Sequence, residues 1–307
     1  MPNATPSSVA AFADTAPAEI PPSAGQGRPR LWQTLRQDRA LKGALFVLGA
    51  IIIGALLAPW LAPYDPTQQF DLALRLQPPS TQYWFGTDLV ARDVFSRVLY
   101  GARVSLAISF LAVALTLFIG TTFGAVAGYT GGVVDSVMMR TIDALLSIPR
   151  LLMLLGVLSL WGQLSPLPLV VLIGVTGWFG VARLVRTQVV ALRDRDFVVA
   201  SRALGSLGTR TLVRHVIPHL ASPVLVAATL GVGSVIVVEA GLSFLGSGIP
   251  QPQASWGSII RDGREVIQTA WWLTVFPGLA LVLTVLAVNV VSDRLRAAMN
   301  PRQLPVS

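Results

Sequence analysis

The sequence contains no cysteine and very little charge. Among its 307 residues none is Cys, and only 12% are Asp, Glu, Lys or Arg, about half the share usual in soluble domains. The absence of cysteine excludes disulfides, thiolate metal sites and cysteine nucleophiles. The chain also lacks the G-x-x-x-x-G-K-[ST] motif that cradles nucleotide phosphates, because Lys42 is followed by Gly43. Any nucleotide-driven step must therefore take place on another chain.

The chain contains long runs of hydrophobic residues without charges. Hydrophobic residues make up 53% of the chain, and they cluster in the way that a bilayer requires. Six runs predict membrane-spanning helices, at about 43–63, 104–128, 144–161, 167–185, 221–246 and 271–292. A transmembrane barrel would need alternating polar and apolar residues, which are missing. The sequence therefore predicts an all-α polytopic membrane protein with six transmembrane helices.

The segments outside the runs predict organisation and orientation. Residues 1–30 are rich in Ala, Pro, Ser and Gly, which predicts a disordered tail. We expect 31–103 to hold the first span and an extracytoplasmic loop, and 104–302 to hold five spans and a cytoplasmic loop, 186–220. Most of the 23 Lys and Arg residues fall on the side of both termini, which the positive-inside rule places in the cytoplasm. Arg150, at the third span, is expected to snorkel to the interface.

The loop 186–220 contains a short basic segment, "ASRALGSLGTRTLVRHVIPHL". Asp196 is placed to start a helix that ends at Gly205, where glycine permits a tight turn. Thr209 is placed to cap a second helix, which Pro218 terminates or kinks near the membrane. The result is two short helices meeting at a corner of small residues.

Two interpretations of this corner stay open on the residues alone. Small side chains before the turn, at Ala200, Ser201 and Ala203, permit close docking into the groove of a partner. An amphipathic basic loop lying on anionic lipid headgroups is about equally consistent with the pattern. The net charge is +8, but the arginines flank apolar runs and do not form a phosphate-binding face. No nucleic-acid partner is therefore expected.

The same corner resembles a known family. Its spacing is similar to the E-A-A-x3-G-x9-I-x-L-P loop of bacterial ABC-importer permeases, and more narrowly to the dipeptide/oligopeptide/nickel branch. Further motifs resemble that family in the same order, at 85–106, 143–155, 239–260 and 289–302. The chain departs from the family at several positions. These are Val199 for an acid, Ser201 for alanine, Ile217 for leucine, Ala91 and Ser292 for glycines, and Asn300 for aspartate.

The resemblance implies a type I importer-like permease fold and a subunit without catalysis of its own. Such a chain forms half of a translocation pathway for peptides or related small solutes in the bacterial inner membrane. The implied partners are a homologous second permease, two ATP-binding subunits, which hold the ATP, and an extracytoplasmic solute-binding protein. No cofactor is expected in this chain. The implied contact with the ATPases comprises Ala200, Ser201, Ala203, Leu204, Gly205 and Pro218.

Two polar residues in the spans are candidates for the translocation path. Glu239 lies inside the fifth predicted span, where an acid is costly and is by default a functional candidate. It either lines the path, lies at the outer interface or satisfies a neighbouring helix; an ion-coupled secondary transporter using Glu239 is the alternative function. Asn289 is predicted to form an interhelical hydrogen bond.

The remaining polar residues predict no catalytic or metal site. Asp93 and Arg97 are four apart and are expected to pair on the wet face of a helix at the mouth. His215 and His219 have the spacing of helical metal ligands, but Pro218 disturbs that geometry and no carboxylate or cysteine completes a site. The acids show no paired general acid–base arrangement, and no G-x-S-x-G motif is present.

Overall fold

The computed structural model describes residues 38–162 and 164–299, which form helices and no strand. The helices are α1 (Arg39–Leu56), α2 (Ala58–Leu61), α3 (Val94–Thr130), α4 (Gly132–Leu146), α5 (Arg150–Trp161), α6 (Pro166–Gly177), α7 (Phe179–Arg193), α8 (Asp196–Ala203), α9 (Gly208–Thr211), α10 (Ala221–Phe244), α11 (Trp256–Gly263) and α12 (Trp272–Met299). A π-turn at Leu212–Val216 and a 3₁₀ turn at Ile217–Leu220 join α9 to α10. The predicted disordered tail, 1–30, lies outside the described residues.

The six predicted spans are confirmed when each of two bent helix pairs is taken as one span. Four helical segments are long and apolar enough to cross a bilayer: α1, α3, the segment 208–244 that includes α10, and α12. The bent pairs are α4 with α5, at 76°, and α6 with α7, at 44°. The bend between α4 and α5 falls at 147–149 because Pro149 restricts the residue before it to non-helical conformations. The predicted third span, 144–161, is therefore not one straight helix.

Two boundaries differ from the predicted ones. Helix α1 ends at Leu56, and the chain reaches 61 through the short α2. Helix α3 begins at Val94, where the Asp93 carboxylate accepts a hydrogen bond from the Ser96 amide at 2.7 Å. This N-cap starts α3 about ten residues before the apolar run that predicts it, so α3 passes uninterrupted through position 103.

Helices α3 and α7 pack at close range through a stripe of glycines. Gly120, Gly124 and Gly128 recur every fourth residue along α3 and are buried. A Cβ at Gly120 would lie 2.7 Å from Val181 Cβ, and a Cβ at Gly128 would lie 2.8 Å from the Arg186 carbonyl oxygen. Small residues at this spacing let helix backbones approach closely in a membrane. This glycine pattern is not among the features predicted above.

One end of the bundle carries α11 and the loop 62–93, and the other carries α8; we call them the α11 end and the α8 end. At the α11 end, Ser255 and Ser258 form a capping box that begins α11. The Trp256 indole, which is buried, donates to the Val98 carbonyl at 3.2 Å, and the Trp272 indole donates to the Thr87 carbonyl at 3.1 Å. These bonds attach α11 and the loop to α3 and α12.

Candidate coupling segment and buried polar sites

The corner of the basic segment is a defined helix C-cap at the α8 end. Helix α8 begins at Asp196, as predicted, and Gly205 has a φ of +81°. The Ser206 amide donates to the Ser201 carbonyl at 3.1 Å, and the Gly205 amide donates to the Arg202 carbonyl at 2.9 Å. This is the bond pattern of a Schellman motif with glycine in the left-handed position. The predicted role of Gly205 as the turn residue is confirmed.

Side chains behind the corner anchor it to the bundle. Val198 is fully buried in a cluster with Val185 and Val189 of α7. The Thr211 hydroxyl is buried and donates to Ser206 Oγ at 3.1 Å, and it lies 3.4 Å from Ser201 Oγ. These contacts fix α8 against α7 and α9.

The tip of the corner, by contrast, is apolar and exposed. Ala200, Ala203 and Leu204 are exposed, with Leu204 at 89%. Leu207, just after the turn, is also exposed. The guanidinium of Arg202 lies over the Tyr129 ring, 4.9 Å from its centroid, so this arginine packs on α3. Most of the predicted coupling residues therefore form one accessible surface, whereas Ser201 faces Thr211 and Pro218 lies on the return to the membrane.

The return to the membrane differs from the prediction, in which Thr209 caps a second helix and Pro218 terminates or kinks it. Thr209 is not the N-cap: α9 begins at Gly208 after Leu207, and no side chain caps it. Pro218 does not end the helix, because the preceding π-turn and the 3₁₀ turn that contains Pro218 carry the chain directly into α10. Local π and 3₁₀ turns satisfy the backbone groups that a proline leaves without partners in a membrane helix.

The two histidines near this proline form no metal site in the described part of the chain. His219 Nδ1 lies 2.7 Å from the His215 carbonyl oxygen, and its ring stacks on Phe197 with centroids 5.1 Å apart. Residues 38–162 and 164–299 contain no cluster of three potential metal ligands.

Glu239 is fully buried where α3, α10 and α11 meet. Its carboxylate accepts from Ser243 Oγ at 2.8 Å and from Ser105 Oγ at 3.1 Å. Ser105 Oγ in turn accepts from the Trp256 amide at 3.3 Å, at the start of α11. A buried carboxylate with hydroxyl partners near a helix N-terminus is stabilised there. Of the predicted alternatives, the satisfaction of neighbouring helices is realised; the role of Glu239 in the path stays a prediction.

Asn289 is exposed on α12. Its Oδ1 lies 3.5 Å from the position that a Cβ on Gly233 of α10 would occupy. The predicted interhelical hydrogen bond is wrong as far as the described residues go, since none of them bonds its side chain. Its place along the path stays a prediction.

A buried ion network at the α11 end replaces the predicted Asp93–Arg97 pair. Arg97 is fully buried and pairs with Asp88 and, at 3.1 Å, with Asp262 of α11. Arg92 also pairs with Asp88, at 2.7 Å. Asp93 serves as the α3 cap instead, and burial raises the pKa of its carboxyl above the usual range. The prediction failed because Arg97 faces α11 and not water.

Comparison with known proteins agrees with this architecture. Residues 120–304 match the family described as the binding-protein-dependent transport system inner membrane component, and residues 30–79 match the N-terminal TM domain of oligopeptide transport permease C. The chain belongs to this family of transport permeases. The dipeptide transport system permease protein DppC of Bacillus subtilis is 38% identical over 88% of this chain and 84% of its own.

Other permeases of the same kind align over a similar length. The oligopeptide transport system permease protein OppC of Bacillus subtilis is 37% identical over 87% of both chains. The di/tripeptide transport system permease protein DppC of Pseudomonas aeruginosa is 36% identical over 88% of this chain and 91% of its own. The predicted membership of the peptide branch of ABC permeases is therefore confirmed.

Proposed function

We propose that this permease is one of two membrane subunits of an ATP-driven importer of peptides or related small solutes. It forms half of the translocation pathway beside a homologous permease. Two cytoplasmic ATPases bind the α8 end, and an extracytoplasmic solute-binding protein delivers the solute to the α11 end. Both termini then lie in the cytoplasm and the protein lies in a bacterial inner membrane, in agreement with the distribution of its basic residues.

The exposed tip of α8 is the observation that carries this proposal. Leu204 and Leu207 project from a corner that a Schellman motif and a hydrogen bond from the buried Thr211 hydroxyl hold in place. Apolar side chains on a preformed support suit a groove on a protein, because little ordering entropy is lost on binding. The arginines do not separate docking from lying on lipid, because Arg202 packs on Tyr129 while Arg210 and Arg214 are exposed. The two leucines at the tip are the feature that favours docking on an ATPase.

The mechanism follows from how α8 is attached. Only two residues separate α7 from α8, and α7 packs on the glycine stripe of α3. Closure of the ATPase dimer by ATP displaces the docked α8 and, with it, the α7–α3 pair. The two permeases then rock between inward-open and outward-open states, and ATP supplies the differential affinity for one of them.

The ion-coupled alternative lacks comparable support. Glu239 is fully buried, and its carboxylate accepts hydrogen bonds from the hydroxyls of Ser243 and Ser105. The relatives above are named as transport system permeases, which favours the ATP-driven function.

An exposed leucine at each end of the bundle provides a matched test. The variants are Leu204→Glu at the tip of α8 and Leu72→Glu in the loop 62–93, where the leucine is 63% exposed. A charge in an apolar docking site removes a central contact, so Leu204→Glu should lower ATP-dependent uptake by roughly tenfold or more in proteoliposomes. Leu72→Glu should leave the amount of co-purified ATPase unchanged. Normal uptake and ATPase recovery with Leu204→Glu, or a lone subunit that transports, would contradict the proposal.

A further inference from the structure

The side chain of Arg150 turns into the helix bundle, towards the middle of the neighbouring predicted spans. Its Nη2 donates to the Ile173 carbonyl at 2.8 Å, and its side chain lines a cavity with Thr116 of α3, Gly177 at the α6–α7 bend and Ser234 of α10. Those three residues lie near the midpoints of the predicted spans 104–128, 167–185 and 221–246. The expected snorkelling to the interface is therefore wrong, because the guanidinium turns towards the bend in the neighbouring span.

This cation has no carboxylate partner among the residues that the structure describes. None of the ion pairs there includes Arg150, and its Nε is buried without a hydrogen-bond partner. A charged side chain at this depth is costly unless it is paired, and it marks ion or substrate pathways by default. An anion bound beside Arg150 would offset this cost.

The cavity beside Arg150 has room for one. Its volume is about 110 Å³, enough for a carboxylate group and a water molecule or two. Gly177 keeps this space open, because a Cβ there would lie 2.9 Å from both Arg150 Nη2 and Thr116 Oγ1. Ser234 is exposed and offers a hydroxyl that bonds no described residue. The cavity thus combines a cation, a free hydroxyl donor and an opening.

We propose that Arg150 binds the C-terminal carboxylate of a peptide in transit, with Ser234 as a second donor. The inference rests on the proposed import of peptides and adds a solute contact at mid-membrane. Guanidinium is suited to this role because its planar fork binds carboxylates in a bidentate manner. An acid from the second permease, or a purely structural brace of the α6–α7 bend, would be the competing explanations.

Uptake of two related peptides separates these explanations. The probes are alanyl-alanine and its C-terminal amide, measured with the intact transporter in proteoliposomes. Each rate is divided by the wild-type rate for the same peptide, so that any preference of the binding protein cancels. In Arg150→Gln, alanyl-alanine uptake should fall by roughly tenfold or more, the loss expected for a charged hydrogen bond, while amide uptake changes less than about threefold. Arg150→Lys should retain part of the carboxylate preference, and Arg140→Gln, an exposed arginine of α4, should behave as wild type.

A second measurement remains informative if Arg150→Gln folds poorly. Because the chain has no cysteine, Ser234→Cys introduces a single thiol into the cavity, in a complex whose other subunits are cysteine-free. Anionic and cationic methanethiosulfonates of similar size are compared in the wild-type Arg150 background and with Arg150→Lys and Arg150→Gln. The ratio of the reaction rate with the anionic reagent to that with the cationic one should be roughly tenfold higher with Arg150 than with Arg150→Gln, as expected beside an unpaired cation.

Several outcomes would overturn the proposal. Equal losses for both peptides would make Arg150 a structural brace, and unchanged uptake of both would remove any role in transport. A thiol that reacts with both reagents at the same rate would show that an acid of the second permease neutralises Arg150. A wild-type complex with no ATP-dependent uptake of either peptide would instead show that dipeptides are not solutes of the proposed importer, and it would refute this inference while leaving an ATP-driven importer of other solutes standing.

Discussion

Replacing Gly124 with alanine should separate helices α3 and α7. A Cβ at this position would lie 3.0 Å from both Cα and the carbonyl carbon of Ala182, and closer still to the Ala182 carbonyl oxygen. All three obstacles are backbone atoms, so no side-chain rotation can relieve them. Restoring ordinary contact would require the helices to part by roughly 1 Å over several residues.

The size of the effect follows from two opposing contributions. Overpacking of this kind costs about 1–3 kcal/mol, and the rigid obstacle favours the upper end. Alanine regains about 1 kcal/mol of helix propensity over glycine. The net loss is therefore about 2 kcal/mol, which lowers the melting temperature of a chain of this size by roughly 3 °C.

Gly180 of α7 provides the matched control. It lies in the same helix pair, and a Cβ there would meet nothing within 4 Å. Gly180→Ala should therefore leave the melting temperature unchanged or raise it. Both variants are measured in detergent by the intrinsic fluorescence of the eight tryptophans. Equal melting temperatures for Gly124→Ala and Gly180→Ala would refute the reasoning that the glycine stripe sets the distance between α3 and α7.

Two further predictions concern backbone positions with positive φ. At Gly205, where φ is +81° and a Cβ would meet no atom within 4 Å, alanine should weaken the corner by about 1 kcal/mol through conformation alone. Asparagine, which tolerates this conformation better, should retain more ATP-dependent uptake; equal uptake for the two variants would argue against a role for the turn geometry. Ala91 is buried at a φ of 58°. The substitution Ala91→Gly should change the free energy of unfolding very little, because relief of about 1 kcal/mol of backbone strain offsets the greater freedom of the unfolded chain. Valine there should cost about 2 kcal/mol or more in a thermal unfolding assay; similar melting temperatures for Ala91→Gly and Ala91→Val would contradict this.

The spans and the corner were predictable because their causes are local. An apolar run of about 20 residues has one stable solution in a bilayer. Gly205 predicts the end of a helix, because few other residues adopt the left-handed backbone conformation that ends one. The family motif that the chain resembles has glycine at the position of Ala91, and the structure gives Ala91 a positive φ. In each case, one residue or one run determines the outcome.

The buried polar contacts could not be predicted, because their partners are distant in the sequence. Arg97 donates a hydrogen bond to Asp262, 165 positions away, whereas the local spacing predicted a pair with Asp93. Glu239 finds Ser105, 134 positions away. The spacing of residues predicts which side chains share a helix face. It does not predict which other helix covers that face.

Helix α7 connects the corner at Gly205 with the bend that Arg150 contacts, and this links the two proposals. Helix α7 leads from the bend beside Gly177 to the start of α8, and it is packed along its length on the glycine stripe of α3. A displacement of α8 by the ATPases would therefore shift α7 as a rigid body, with the 44° bend as the point that can absorb the motion. Arg150 bonds the Ile173 carbonyl just before that bend, so its cavity would change shape whenever α7 moves against α6. The cavity would then bind a carboxylate more tightly in one state of the ATPases than in the other, which is the differential affinity that alternating access requires.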